Sequence, residues 1–396
     1  MTDLQTRPLT DVTLPGAPAS LGRDEGPLTP RTSRTASVLA ELRRPRSYPA
    51  VSVVMPTHRR HSDSAQDRVR LGNLLSDVDR RLGADPAVTR ERRDDVLGQL
   101  RAAVAELDLA HAKDGLVLFA APGEHQTWPL DRAVPERVVV ADTFLTRNLV
   151  AAAAAARPYW VLTVSADRIA LWDGRGDRVT EDSGHGFPLT RSLEDPDAER
   201  KERVGDLPST FQDEQTRQFF RDADAALAGL LSTEGRSLYV TGEAAALTLL
   251  SNVGTAARDA VHVPVGGLAH ASTPDAVARG IAPARAEAAD RTVADALADL
   301  DGARSANKYA GGVDEVWQEA STGRIRRLVV EDNYRVTVRA GAAEGHLEPA
   351  EDDDPDAIHD IVDAIVESVL ETGAEVVFVP DGTLSGVGHM AAVLRY

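Results

Sequence analysis

Short apolar runs that alternate with amphipathic segments most constrain what this chain can fold into. The run Ala50-Val-Ser-Val-Val-Met55 has five apolar residues out of six and ends at Pro56, as a buried strand does. Residues 64–82 then place apolar side chains, Val69 among them, at helical spacing, with charges on the other face. Since the two patterns alternate to the end of the chain, the sequence predicts a layered α/β fold.

The remaining elements follow from the same periodicities. Helices are predicted at 87–107, 210–231, 244–251, 274–300, 313–322 and 356–372, and strands at 115–121, 137–141, 159–165, 168–172, 236–241 and 326–330. Gly280 and Pro283 are expected to break the helix at 274–300. Residues 181–209 are predicted to be a long polar loop, and the acidic stretch 348–356 a loop leading into the first turn of the last helix.

The composition excludes several classes of protein and of functional site. The 396 residues suffice for two or three domains, and the absence of cysteine excludes disulfides, thiolate zinc sites and cysteine nucleophiles. The net charge of -18 disfavours nucleic acid as a general partner, so we expect no DNA binding and RNA contacts only at local arginine-rich surfaces. With no secretory signal and no run near the roughly 18 apolar residues of a membrane span, we predict a cytoplasmic protein that contacts no membrane.

A cluster of basic residues follows the first predicted strand. His58, Arg59 and Arg60 lie past its C-terminal end, where α/β sheets usually bind ligands, and their side chains suit an anion or an RNA phosphate. The alternative is a solvated strand-to-helix loop, with Asp63 or Ser64 capping the next helix. A metal site at His58 and His61 would need a third ligand that the sequence does not place.

Three other loops contain candidate catalytic or binding residues. Lys201 and Arg203 form a basic point on the long polar loop that could contact RNA, or could simply be solvated. Residues 183–186, with His185, allow an acid or base role but favour a chain turn. The glycine-rich segment 382–389 suggests a phosphate-binding turn, yet it lacks the lysine and helix start of a P-loop, which favours a tight strand connection.

Three ordered segments carry a resemblance to a known family. The first is Val51-Ser-Val-Val-Met-Pro-Thr-His-Arg59 with Gln66-Asp-Arg-Val-Arg-Leu-Gly-Asn-Leu-Leu75. The second is Tyr159-Trp-Val-Leu-Thr-Val-Ser-Ala-Asp-Arg-Ile-Ala-Leu-Trp172 with Phe219-Phe220, and the third is the closing Ala391-Ala-Val-Leu-Arg-Tyr396. Together they resemble the bacterial archaeo-eukaryotic release factor-like family, which is related to release factors, to Pelota, and to rescue and hibernation factors.

The resemblance implies three domains after a disordered leader at 1–34. These are an N-terminal α/β domain at 35–156, a ribonuclease H-like middle domain at 157–256, and a C-terminal α/β/α sandwich like the kink-turn-binding ribosomal proteins at 257–396. It also implies the ribosome and its RNA as partners, with a translational GTPase as a further one.

One motif of true release factors is missing. In them the middle domain carries Gly-Gly-Gln, which coordinates water for peptidyl-tRNA hydrolysis, and the matching place here is 193–210. Gly-Gly-Gln is absent there and elsewhere, because Gly266-Gly267 is followed by leucine and Gly311-Gly312 by valine. The resemblance therefore implies ribosome binding without hydrolysis, in translation stress, rescue or hibernation.

We accordingly predict a non-catalytic protein with no cofactor and no metal. The RNA- or ribosome-binding candidates are His58, Arg59, Arg60, Lys201 and Arg203. A hydrolase or nuclease is the first alternative, and it would need a magnesium-binding carboxylate cluster in the middle domain, for which Asp167, Asp173 and Asp177 are the candidates. A stress-signalling scaffold is the second alternative.

Overall fold

The structure, a computed structural model, describes residues 41–58, 64–109, 112–191, 214–264, 273–343, 345–351, 354 and 356–396. These residues fall into two compact units. Unit 1 combines the chain up to Ala156 with Thr292–Tyr396, and unit 2 is Arg157–Arg291. The leader predicted at 1–34 lies outside the described residues. The domain boundaries at 156, 256 and 396 stay predictions.

The first part of unit 1 is an antiparallel sheet with helices on both faces. Its sheet order is β3-β2-β1-β4. The elements are β1 (Ala50–Pro56), α1 (Ser64–Ala84), α2 (Arg90–Ala105), β2 (Gly115–Ala121), β3 (Glu124–Leu130), β4 (Arg137–Ala141) and α3 (Arg147–Ala155). The apolar faces of α1 and α2 pack on one side of the sheet around Val53 and Leu118, and α3 packs on the other around Phe119 and Phe144, whose rings stack at 4.6 Å.

Unit 2 has the ribonuclease H-like arrangement that the resemblance implied. β5 (Pro158–Val164), β6 (Arg168–Arg175) and β7 (Arg178–Asp182) form an antiparallel meander, and β8 (Leu189–Thr190) pairs with β6. After α4 (Glu214–Thr233) come β9 (Ser237–Gly242), α5 (Ala244–Val253) and β10 (Val261–His262), with β9 and β10 parallel to β5. α4 and α5 cover one face of the sheet, where Phe220 and Leu227 are buried.

The second part of unit 1 is an α/β/α sandwich, as predicted. Its sheet order is β11-β16-β12-β15. The elements from unit 2 onward are α6 (Pro274–Ser305), β11 (Tyr309–Gly311), α7 (Gly312–Ser321), β12 (Ile325–Glu331), β13 (Val338–Ala340), β14 (Leu347–Pro349), α8 (Ile361–Glu371), β15 (Glu375–Val379) and β16 (Met390–Leu394). Ala296 and Leu300 of α6 pack on one face of this sheet, and Ile365 and Val369 of α8 on the other.

Two predicted helix details are wrong. α6 is continuous from Pro274 to Ser305 with Pro283 inside it, because proline removes one helical hydrogen bond and the rest of a long helix can absorb that loss. The last helix begins at Ile361 instead of at residue 356. Asp360, directly before it, has a left-handed backbone conformation with φ 53°, so the helix cannot extend further toward the N-terminus. The acidic stretch 348–356 therefore precedes the helix and does not form its first turn.

Candidate functional site

The C-terminal end of β1 meets the start of α1 at a buried carboxylate. Asp67, in the first turn of α1, is fully buried, and its two oxygens accept hydrogen bonds from the backbone N–H of His58 at 2.9 Å and from His58 Nδ1 at 2.8 Å. Thr57 is held on the opposite side, since its hydroxyl donates to the carbonyl of Lys113 at 3.0 Å. The imidazole of His58, 42% exposed, is therefore fixed in orientation at the end of a buried strand.

An open groove of about 420 Å³ lies beside this pair on α1. Arg70 lies on its wall and forms ion pairs with Asp67 at 3.5 Å and with Glu136 at 3.2 Å. The groove is lined by Ala65, Gln66, Val69, Arg70, Asn73 and Glu136. The side-chain amides of Gln66 and Asn73 lie beside the apolar Ala65 and Val69, and the two charged lining residues, Arg70 and Glu136, pair with each other.

The sequence predicted Val69 as part of the apolar face of its helix, and this prediction is wrong. Its side chain is 66% exposed, whereas Leu71, Leu74 and Val78 are buried against the sheet. The helical spacing itself separates these positions, because at about 100° per residue Val69 lies almost on the opposite face of the helix from Leu71, Leu74 and Val78. The roles of Asp67 and Asn73 were not predicted either, although an acidic residue one turn into a helix that follows His58 was a usable signal.

Of the predicted binding residues, the structure describes only His58. Arg59, Arg60, Lys201 and Arg203 lie outside the described residues, so their assignment stays a prediction. The loop 193–210, where Gly-Gly-Gln would stand, also lies outside them.

The loop at 183–186 forms a turn held by Asp182. The carboxylate of Asp182 accepts hydrogen bonds from the backbone of Gly184 and His185, and lies 2.9 Å from Nδ1 of His185. The imidazole also packs against the Trp160 ring in a T-shaped arrangement, with the two ring centroids 5.6 Å apart. These contacts account for the conformation of the turn, which agrees with the interpretation that the sequence favoured.

The glycine-rich segment 382–389 connects β15 to β16 and folds around a carboxylate of the chain itself. Glu331, at the end of β12, accepts a hydrogen bond from the backbone of Leu384 at 2.6 Å and pairs with Nδ1 of His389 at 2.9 Å. Burial opposes ionisation of Glu331, but hydrogen bonds from the backbone of Gly382 and from His389 outweigh it and hold the pKa of Glu331 below its usual value. Because Glu331 already occupies these donors, the segment is the tight strand connection that the sequence favoured.

The three carboxylates proposed for a nuclease have separate partners. Asp167 accepts from the hydroxyl of Ser165 at 2.7 Å, Asp173 pairs with Arg236 at 3.0 Å, and Asp177 pairs with Arg285 at 3.4 Å. Across the described residues, no group of three or more histidines or carboxylates is arranged to hold a metal ion.

The comparisons with known proteins bear on the middle of the chain. Residues 158–324 match the family model of bacterial archaeo-eukaryotic release factor family 3. This segment of the chain is similar to that family. This confirms the predicted resemblance, and the match covers all of the sheet of unit 2 and continues through α7.

Three solved structures are similar in fold to parts of this chain. An archaeal translation termination factor, aRF1, is 18% identical, with 91% of this chain and 97% of that chain covered and a TM-score of 0.23. Pelota of Archaeoglobus fulgidus is 18% identical, covering 71% and 79%, with a TM-score of 0.35. Dom34 of S. cerevisiae, described as a translation termination-like factor that interacts with Hbs1, is 13% identical, covering 71% and 80%, with a TM-score of 0.37. No curated protein sequence matches the chain.

None of the helices in the described part of the chain is both long and apolar enough to cross a membrane.

Proposed function

We propose that this chain associates with the ribosome in the cytoplasm and acts in translation stress, rescue or hibernation without hydrolysing peptidyl-tRNA. The observation that carries the proposal is the match of residues 158–324 to a bacterial release factor family. The ribonuclease H-like sheet of unit 2 is consistent with it, because the matched segment contains every strand of that sheet. The absence of Gly-Gly-Gln from the sequence supports the non-hydrolytic part.

We further propose that the N-terminal domain contributes RNA contacts through His58, Arg59 and Arg60, and the loop of unit 2 through Lys201 and Arg203. Asp67 holds the imidazole of His58 in one orientation, which lowers the entropy that a bound phosphate would otherwise cost to order that side chain. The groove around Val69 and Asn73 adjoins this point and would widen the contact surface. A translational GTPase is the further partner to be tested.

Ribosome co-sedimentation tests the association. Because phosphate contacts release counterions, we expect the protein to pellet with ribosomes at low salt and to be released as salt rises. Replacing His58, Arg59 and Arg60 together by alanine should weaken binding by at least about tenfold and lower the salt dependence, since charge-assisted contacts are lost.

A matched control removes positive charge elsewhere on the same domain. Arg80 and Arg90 are 76% and 94% exposed on α1 and α2, and their double alanine variant should pellet like the native protein. Native protein that stays in the supernatant at low salt would refute the proposal. Equal losses in the two variants would refute the assignment of the site and leave ribosome association standing.

Release of peptide from loaded ribosomes tests the non-hydrolytic part. Without a glutamine to position water, we expect the purified chain to release peptidyl-tRNA no faster than buffer. A release factor of the Gly-Gly-Gln type assayed on the same ribosomes is the positive control. Release above the buffer rate, proportional to the concentration of the chain, would contradict this prediction.

A further inference from the structure

Four carboxylates and three guanidinium groups converge inside unit 1 where α3 approaches α8. The carboxylates lie on α8 or at its N-terminal cap, and the guanidinium groups come from the first part of the unit. They are Asp360, Asp363, Glu367 and Glu371, facing Arg43, Arg137 and Arg147. The contact joins segments more than 200 positions apart in the sequence.

Side chains of α8 hold the start of α3. The carboxylate of Asp363 accepts hydrogen bonds from the backbone N–H of Arg147 at 2.8 Å and of Thr146 at 3.4 Å. Thr146 is the cap residue of α3 but does not cap it with its own side chain, because its hydroxyl donates to Glu367 Oε1 at 2.7 Å. The first turn of α3 therefore depends on two carboxyl groups from a helix of the C-terminal sandwich.

Asp363 and Glu367 lie one turn apart on α8 and both form hydrogen bonds with Thr146, so their carboxyl groups lie close together. Asp360 pairs with both Arg137 and Arg147, and Glu371 lies 3.8 Å from Arg43. The charged groups that act on Asp363 are Asp360 and Arg147, and those that act on Glu367 are Asp363, Arg43 and Glu371. Ionising both Asp363 and Glu367 would place two negative charges side by side in a largely buried place, which is costly.

Of the two carboxyl groups at the start of α3, Glu367 has the more strongly raised pKa. Burial and then the nearby charge of Asp363 raise the pKa of Glu367 to about 8, and burial and then Asp360 raise the pKa of Asp363 to about 6. Because both values lie above those of the unfolded chain, the stability that depends on the protons is complete at acidic pH. It is lost as pH rises, through about 6 for Asp363 and about 8 for Glu367.

We propose that Asp363 and Glu367 form a proton-dependent latch that fastens α3 to α8, and that loss of the Glu367 proton loosens the first turn of α3. Glu367 accepts the Thr146 hydroxyl in either form, but only in its neutral form does it avoid facing Asp363 as a second negative charge. Once it is ionised, the two carboxylates repel each other across the start of α3. The latch thereby couples the contact between the two sheets of unit 1 to the pH of the surroundings.

Hydrogen exchange of the full-length protein tests the latch. Exchange of peptides that contain residues 146–150, corrected for the intrinsic pH dependence, should accelerate at least about tenfold between about pH 6.5 and about pH 9. Peptides from β2, in the middle of the first sheet, should stay protected, which separates local opening from global unfolding. In Glu367→Gln, which is neutral at every pH, the acceleration should disappear.

Glu91→Gln is the matched control, because Glu91 is exposed in the first turn of α2 and is not part of the cluster. It should keep the native acceleration. Native protein whose corrected exchange at 146–150 does not change with pH overturns the proposal, as does acceleration that persists in Glu367→Gln. If the glutamine variant does not fold, the native measurement alone still decides between a local and an absent response.

Discussion

Arg147→Ala is expected to destabilise unit 1 by about 3–5 kcal/mol, because it removes one partner of a buried ion pair. The guanidinium of Arg147 is 95% buried, lies 3.3 Å from Asp360, and donates to the carbonyl of Tyr334 at 2.5 Å. It also lowers the pKa of Asp363 against the effect of burial, so its loss leaves Asp360 with Arg137 alone and removes the positive charge that offsets the burial of Asp363. Urea unfolding followed by the fluorescence of Trp128 and Trp317, which lie in unit 1, would measure the change.

The control for this prediction is an arginine of the same unit in a solvated ion pair. Arg326 contacts Asp299 at 2.7 Å, but its side chain is 49% exposed. Arg326→Ala should cost at most about 1 kcal/mol, as exposed pairs do. If the two variants unfold at the same urea concentration, Arg147 does not hold the buried cluster in the way that its contacts indicate.

Gly242→Ala is expected to destabilise unit 2 by at least about 3 kcal/mol, because the new methyl group has no room and the backbone has the wrong shape for it. Gly242 ends β9 with φ 149°, a region that side chains rarely adopt. A Cβ at this position would overlap the carbonyl oxygen of Val164, the residue paired with Gly242 on β5. Urea unfolding followed by Trp160 and Trp172, which lie in unit 2, would report the loss.

Gly229→Ala, in the same unit, is expected to stabilise the protein. Gly229 is exposed within α4, and a methyl group there would meet no neighbouring atom within 4 Å. Alanine should stabilise the helix by about 0.5–1 kcal/mol, because it restricts the unfolded chain more than glycine does. A destabilised Gly229→Ala, or a Gly242→Ala that unfolds like the native protein, would contradict the geometric argument.

The strands that the sequence predicted well are those buried on both faces. The run at 115–121 is apolar throughout, and β2 occupies the same residues with every one of them buried. β3 was missed, because Glu124-His-Gln-Thr-Trp-Pro-Leu130 alternates weakly and contains a proline. It forms an edge of its sheet, where one side of the backbone needs no partner and polar residues and proline are tolerated.

β7 was missed for the same reason. Its residues Arg178–Asp182 are mostly exposed, and four of the five are polar. A polar run at the end of a hairpin has no periodicity that separates an edge strand from a loop, so the sequence predicted a loop from residue 181 onward. Only the pairing with β6 decides that these residues are a strand.

The place of His58 in the fold was predicted, whereas the residues around it were not. The sequence placed His58 at the C-terminal end of a buried strand, and the structure confirms that position. The partner that orients it, Asp67, and the exposure of Val69 and Asn73 depend on how α1 lies against the sheet. Burial of the opposite face of α1 sets the rotation of the helix, and that rotation selects which polar residues line the groove.

The sequence by itself determined the α/β class, most element bounds and the resemblance to a family, because all three depend on local periodicity and on short motifs that can be read without knowledge of distant contacts. Tertiary structure alone decided that Asp363 and Glu367 cap a helix more than 200 residues earlier, and that their pKa values rise to about 6 and about 8. The physical reason is that desolvation and charge pairing depend on which groups meet in space. The spacing of residues along the sequence does not show which groups come into contact in the folded chain.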